Sequence, residues 1–256
     1  MTRPGQVVPA HVIDAFQEEG IPEPAGHAWD NGWRVGSVAY SRSGGVATGW
    51  SAKLRTTLQV DGVRIARPVR STDGRFVVAG WKASQWIQGD LARRVDETVG
   101  VALRLADALA GQPTPPEPEG EDPLRPRRPA RLGGDRTGVP GHRRPCPGRS
   151  RGPAGLHRLP RHAGPGGDGP RPSAAPRPHG YTAALVIVDG LIAGAVDDAI
   201  VDRFRHLPDI DQLLLRAVAY RRHVNDLHPQ SSSNARAHIR RVEDALVSRV
   251  ADILEA

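Results

Sequence analysis

Residues 112–134 read QPTPPEPEGEDPLRPRRPARLGG, and residues 166–180 read GGDGPRPSAAPRPHG. In the stretch that these runs frame, from Gln112 to about Arg177, roughly three fifths of the residues are Arg, Pro or Gly. The stretch contains no Ile, Phe, Trp, Tyr or Met, and its prolines are too frequent for a helix or a central strand. Such a composition cannot bury enough apolar surface to fold. We therefore predict a disordered basic segment over residues 112–178, with a folded part on either side.

The positive charge of the chain is concentrated in this stretch. The 256 residues carry a formal net charge of +7. Residues 112–180 alone have an excess of seven positive charges, whereas the residues before and after them carry +2 and −2. The high isoelectric point therefore does not indicate a basic face on a folded domain.

Two further features bear on the compartment. The single cysteine, Cys146, lies in the basic stretch, so no internal disulfide can form, which fits a reducing cytoplasm. The most apolar run, Tyr181 to Val196, is shorter than the roughly 20 residues that span a bilayer. We expect a cytoplasmic protein that does not enter the membrane, with a buried helix at this run.

Apolar spacing predicts the secondary structure of both flanks. We predict helices over residues 9–19, 48–58, 91–110, 181–196, 213–227 and 233–254, a loop at 22–26, a β-hairpin region reaching 42, and one strand over 75–87. Asp30, Asn31 and Gly32 are typical of a hairpin turn. Asp209 is placed as an N-cap of the helix that follows it, and Asp197 and Asp198 are placed to cap the next helix after residue 196.

The fold class that we predict is α+β. Residues 1–89 form a small antiparallel sheet with helices, and residues 90–111 form a linking helix. Residues 112–178 are the basic segment, and residues 179–256 form a helical part. Asp189 lies in the middle of an apolar helix, and a buried carboxylate needs a hydrogen-bonding partner.

Three runs of the flanks resemble a known family: AWDNGWRVGSVAYSR, VDGVRIARPVRSTDGRFVVAGWKASQWIQG, and RPHGYTAALVIVDGLIAGAVDDAIVDRF with the following DIDQLLLRAVAYRR. They are similar to an actinobacterial family of aminoglycoside-phosphotransferase-like proteins, distant relatives of protein kinases. The resemblance implies an N-terminal lobe that covers ATP, a linker at Trp86–Gly89 and a helical C-terminal lobe. It also implies ATP and Mg²⁺ as ancestral ligands and a small hydroxylated molecule as acceptor.

The residues that the family uses for catalysis are missing at the matching positions. Phosphoryl transfer needs a lysine on a central strand, metal ligands and an aspartate near the acceptor. The matching strand position is Ser41, and the nearby Lys53 falls on a helix, on the side that we expect to be exposed. The His-Gly-Asp motif of the family is absent, because Tyr181 follows His179–Gly180. We therefore assign no catalytic residue and expect an inactive protein.

The missing motifs belong in the basic stretch. We interpret this middle segment as translated out of frame or derived from a degraded gene, because the composition changes abruptly at both of its edges.

Three residues are candidates for cofactor binding. Gly32 and Gly36 could border a turn that covers phosphates, although glycines in hairpins are mostly structural. Trp86 could frame an adenine pocket by analogy with the family, or it could be a packed core aromatic, which is the reading that we favour. There is no Gly-Lys dipeptide for a Walker-type loop.

Metal binding is not expected. The candidate ligands His142, Cys146, His157 and His162 lack the short, paired spacing of zinc sites.

Two alternative functions remain open. The arginines of residues 125–177 could bind nucleic acid or an acidic partner, although the segment has no aromatic side chain to stack on bases. The apolar stripe of the last helix could instead pair with a partner or with a second copy of the chain, and we expect self-association through exposed apolar helices.

Overall fold

The structure is a computed structural model that describes residues 6–43, 45, 47–89, 94–113, 149–150, 177–228 and 231–255. Its helices are α1 (Ala10–Ala15), α2 (Ala47–Thr57), α3 (Val95–Leu109), α4 (Tyr181–Ile192), α5 (Ala199–Arg203), α6 (Ile210–Leu227) and α7 (Ser233–Glu255), with a short 3-10 turn at His27–Trp29. Its strands are β1 (Glu23–Gly26), β2 (Gly32–Val35), β3 (Val38–Arg42), β4 (Val77–Val78), β5 (Trp81–Gln85), β6 (Arg149–Ser150) and β7 (Arg177–Pro178). The predicted α+β fold is confirmed: a five-stranded antiparallel sheet with helices comes first and a helical part comes last. The predicted disorder of residues 112–178 falls almost entirely outside the described residues.

The N-terminal sheet has the strand order β1-β2-β3-β5-β4, and every pairing in it is antiparallel. Helix α2 lies between β3 and β4 in the sequence, and α3 follows β5. Because β5 pairs with β3, residues of these two strands that are 39 to 47 positions apart in the sequence become direct neighbours.

Two predictions for this half are wrong in detail. Residues 23–26 form the edge strand β1 instead of a loop, and Pro24 is tolerated because an edge strand can leave its outward amide position unpaired. Residues 75–87 form a hairpin of β4 and β5 instead of one strand. Ala79 and Gly80 both have positive φ, 48° and 76°, which is the backbone of a tight hairpin turn.

One face of the sheet packs on the first helix. Alternate strand residues point to this face and meet apolar residues of and around α1; the cluster comprises Val8, Val12, Ile13, Phe16, Trp33, Val35, Val38, Tyr40, Val78, Trp81 and Ala83. This face therefore carries the core of the N-terminal part.

The helical part is built around α4, which is buried along most of its length and packs between α3, α6 and α7. The predicted stripe of α7 is partly confirmed, since Ile239, Val242 and Leu246 are buried, whereas Ile253 is 53% exposed.

Asp198 and Asp209 occupy the N-cap positions of α5 and α6, as predicted, but neither caps its helix with a side-chain hydrogen bond. Asp209 has φ 55°, so the chain enters α6 from a left-handed residue and not from the extended conformation in which a cap side chain reaches the first turn. Asp197 lies 3.9 Å from Arg203 as an exposed ion pair instead of capping.

Candidate functional site

The second face of the sheet, opposite α1, is polar. Because successive strand residues alternate sides, Ala39 and Ser41 of β3 and Lys82 and Ser84 of β5 share this face, which we call the inner face. Helix α2 covers part of it, and Arg55 Nη1 donates a hydrogen bond of 3.1 Å to Ser84 Oγ.

The strand position expected to carry a lysine holds a buried serine. Ser41 lies near the end of β3 and is 6% exposed. Lys53 lies on the exposed side of α2, as predicted, so it does not replace a strand lysine.

The structure places a different lysine beside Ser41. Lys82 of β5 is its direct cross-strand partner in the register, so both residues point to the inner face. Sequence reasoning missed Lys82 because strand order, and not spacing along the chain, makes it a neighbour of Ser41. A correct pairing of β3 with β5 was the signal that could have found it.

Lys82 is engaged by the loop between β1 and β2. Its Nζ lies 3.4 Å from Asp30 Oδ2, and the two side chains are 29% and 25% exposed. Asp30 and Asn31 have φ values of 55° and 49°, so the predicted turn is present. The turn brings a carboxylate from the first hairpin to a cation on β5.

Trp86, a predicted cofactor-binding residue, is covered by aromatic and cationic side chains. Its ring stacks on Trp29 with centroids 4.8 Å apart and an angle of 24° between the planes. The Arg34 guanidinium lies 5.0 Å from the Trp86 ring centroid. The Trp86 amide donates to Ser37 O at 2.8 Å, which fixes the start of the linker to the β2–β3 turn.

The two predicted glycines border opposite ends of β2. At Gly32 a Cβ would lie 2.0 Å from Tyr40 O and 2.9 Å from Trp29 O, so the close approach of backbone requires glycine. Gly36, in the β2–β3 turn, has φ +53°, and a Cβ there would lie 2.5 Å from Glu18 Oε2. The local backbone and packing therefore account for both glycines, and Gly36 directly precedes Ser37, whose carbonyl accepts the Trp86 amide. Their contact with a cofactor stays a prediction.

Arg55 brings a buried positive charge to the inner face. It is 9% exposed, and its Nη1 also donates to Ala66 O at 2.8 Å. Its Nε has no hydrogen-bond partner among the described residues. Burial lowers the pKa of Arg55 to about 10, and the charge of Asp30 acts in the opposite direction. Thr48, Ala52 and Leu54 are the other buried residues of α2, so Arg55 is the charged one among them.

The segment around His179 shows structural contacts. His179 Nε2 lies 2.8 Å from Asp107 Oδ1, which ties the start of α4 to α3. Gly180 has φ 82°, and Tyr181 is buried under the Arg177 guanidinium, whose carbon lies 4.9 Å from the ring centroid. Burial raises the pKa of Tyr181, so the phenol stays neutral. No carboxylate stands at position 181, where the family motif needs one.

Two findings concern metal sites and membrane spans within the described residues. In those ranges no group of three or more His, Cys, Asp or Glu side chains could hold a metal ion. The four candidates His142, Cys146, His157 and His162 lie outside them. None of the described helices is long and apolar enough to cross a bilayer.

Comparison with models of protein families, with curated proteins and with solved structures finds no match for this chain.

Proposed function

We propose that this chain is a non-catalytic, kinase-like phosphotransferase scaffold, with ATP and Mg²⁺ as the ancestral ligands and a small hydroxylated molecule as the ancestral acceptor. The observation that carries the proposal is Ser41: a buried serine stands on the strand that precedes the covering helix, where phosphoryl transfer needs a lysine. The succession of β3, α2, β4, β5, the linker at Trp86 and the long helix α3 supports the kinase-like assignment.

The charges of the inner face support the loss of catalysis. A catalytic site of this kind pairs a strand lysine with a helix glutamate and adds acidic ligands for Mg²⁺. The inner face instead pairs Lys82 with Asp30 and places Arg55 on the helix. Ser41 stands in place of the lysine that holds the phosphates in this kind of site, and the sequence has no His-Gly-Asp motif to supply the aspartate that orients an acceptor hydroxyl.

A turnover assay tests this proposal. The purified full chain is incubated with Mg²⁺ and γ-labelled ATP, alone and with a panel of aminoglycosides, and label transfer and ADP release are measured. We expect no transfer above a heat-denatured sample. Transfer that disappears in Lys82→Met would contradict the proposal, because the activity would then belong to this chain and not to a contaminant.

The nucleotide sequence of the gene tests the origin of the loss. If the middle segment is read out of frame, one of the other two frames between Gln112 and Arg177 encodes a His-Gly-Asp motif. A coding sequence without that motif in either frame would exclude a frameshift as the origin and leave gene degradation.

A further inference from the structure

The loop between β1 and β2 makes two contacts of different chemistry with consecutive residues. Trp29 stacks on Trp86, and Asp30 forms an ion pair with Lys82. Trp86 follows directly after β5, and its amide hydrogen bond to Ser37 O continues the pairing with β3. Lys82 and Trp86 lie on the same side of the sheet, because they are four positions apart and strand side chains repeat every two residues. Their Cα atoms lie roughly 13 Å apart along an extended strand, and their long side chains converge on the loop.

The contacts resemble those that an aromatic anion would make. An indole face offers a stacking surface to any flat ring, and an ammonium group offers a charge to phosphate or carboxylate. Trp29 supplies the ring and Asp30 the negative charge. The loop side chains thus occupy the two positions that a base and a phosphate would take.

Cations near these positions are available to balance an anion. Besides Lys82, the Arg34 guanidinium lies at the Trp86 ring, and Arg55 is buried on the same side of the sheet. Asp30 is the carboxylate whose charge acts on Arg55. Removing the negative charge of Asp30 would leave these cations less compensated and would favour an external anion.

We propose that the inner face is a self-occupied binding site for an aromatic anion such as an adenine nucleotide, in which Trp29 and Asp30 act as the internal occupant. The inference rests on the proposed function, whose scaffold supplies the inner face. A ligand must displace the loop, so its apparent affinity falls by the fraction of molecules in which the loop is open.

Binding of three probes to the full chain tests the inference. Calorimetric titrations with ATP, adenosine and inorganic tripolyphosphate are made on the wild type, Asp30→Asn and Trp29→Leu. Asp61→Asn is the matched control, because it removes the same charge at an exposed turn. Asparagine suits position 30, since it is enriched among residues with positive φ.

Both substitutions should favour the open loop, so each should strengthen the binding of every probe. Asp30→Asn should strengthen binding of ATP and tripolyphosphate about fivefold, as for the loss of one partly exposed ion pair, and binding of adenosine by less, because only the phosphates also lose the repulsion of the Asp30 charge. Trp29→Leu should strengthen adenosine binding more than tripolyphosphate binding, because only adenosine gains the exposed face of Trp86. Adding Lys82→Met to Asp30→Asn should return tripolyphosphate binding to the wild-type level.

Two results would overturn the inference: Asp30→Asn that binds tripolyphosphate no better than Asp61→Asn, or a wild type that binds ATP as tightly as Asp30→Asn. If Trp29→Leu does not fold, the tripolyphosphate titrations decide alone. Failure of the proposed function would appear separately, as phosphoryl transfer by the wild type, since the titrations measure binding without turnover.

Discussion

Arg221 of α6 holds the carboxylate of Asp189 in α4 with two parallel hydrogen bonds: Nε donates to Oδ1 at 2.6 Å, and Nη2 donates to Oδ2. The two side chains are 31% and 23% exposed. The attraction of Asp189 raises the pKa of Arg221 against the opposing effect of burial, which is the larger single influence. The partner expected for Asp189 is therefore a guanidinium from the neighbouring helix.

Asp189→Asn should lower the free energy of unfolding by about 2 kcal/mol, between the values typical of exposed and of buried pairs. The amide removes the negative charge and leaves Arg221 half-buried without its counter-ion. The matched control is Asp96→Asn, which breaks a similar bidentate contact with Arg203 at side chains that are 43% and 46% exposed. The control should cost less than about 1 kcal/mol. Equal losses in urea unfolding would contradict a special role for Asp189.

The sequence was sufficient to predict most of the helices, but not which residues become neighbours in the folded chain. Apolar spacing predicted α2, α3, α4, α6 and α7, because each buries one face or most of its length. It predicted one strand over residues 75–87 because Val77, Val78 and Trp81 form an apolar run that the short Ala79–Gly80 turn hardly interrupts. Periodicity alone cannot detect such a turn.

The candidate site was predicted only in part for the same reason. Trp86 could be found from the linker motif, and Ser41 from its place in the strand. The contact between Lys82 and Asp30 joins residues that are 52 positions apart in the sequence. It depends on the pairing of β5 with β3, which places β4 at the edge of the sheet. The stacking of Trp29 on Trp86 depends on how the first turn folds over the sheet. Composition and spacing carry no information on either.

Tyr40→Phe should leave the stability at neutral pH unchanged or raise it by about 1 kcal/mol. Tyr40 is fully buried, and its hydroxyl has no hydrogen-bond partner among the described residues. Phenylalanine keeps the edge-to-face contact with Phe16, at 5.8 Å between centroids, and removes a desolvated polar atom. Tyr220→Phe, at a half-buried position, is the control and should change stability little.

The same substitution should flatten the alkaline pH dependence of stability. Burial raises the pKa of Tyr40 above its ordinary value of 10.0, with a smaller contribution from Glu18. Below pH 10 the phenol is neutral in both the folded and the unfolded chain. Above pH 10 the unfolded chain loses this proton first, so folding becomes less favourable as the pH rises. Thermal unfolding from pH 8 to 11 should show a smaller decline for Tyr40→Phe, and parallel curves would contradict the assignment.

Exposed apolar side chains on the last two helices lead us to predict self-association. Val247 and Ile253 of α7 are each 53% exposed, and Leu227 at the end of α6 is 49% exposed. Sedimentation of the full chain should show species above 27.5 kDa that increase with concentration. Val247→Glu and Ile253→Glu should reduce them, whereas Ser248→Glu, an exposed polar position on the same helix, should not. A monodisperse monomer at all concentrations would contradict the prediction.

Gly190→Ala should destabilise the helical part, although alanine is the better helix former. A Cβ at Gly190 would lie 2.9 Å from Val95 Cγ1 and 3.0 Å from Val196 Cγ2. Valine side chains have few alternative rotamers, so they cannot turn away from the added methyl group. Helices α3 and α4 would therefore have to move apart. We expect a net loss of about 1–2 kcal/mol in the free energy of unfolding, because the cost of the steric clash exceeds the gain in helix propensity from glycine to alanine.

The matched control is Gly100→Ala on α3, where a Cβ meets nothing within 4 Å and the change should stabilise by about 0.5–1 kcal/mol. Because the two substitutions are chemically identical, opposite signs in denaturant unfolding would isolate the contact between α3 and α4, and a gain at both positions would show that these helices do not pack as closely as described.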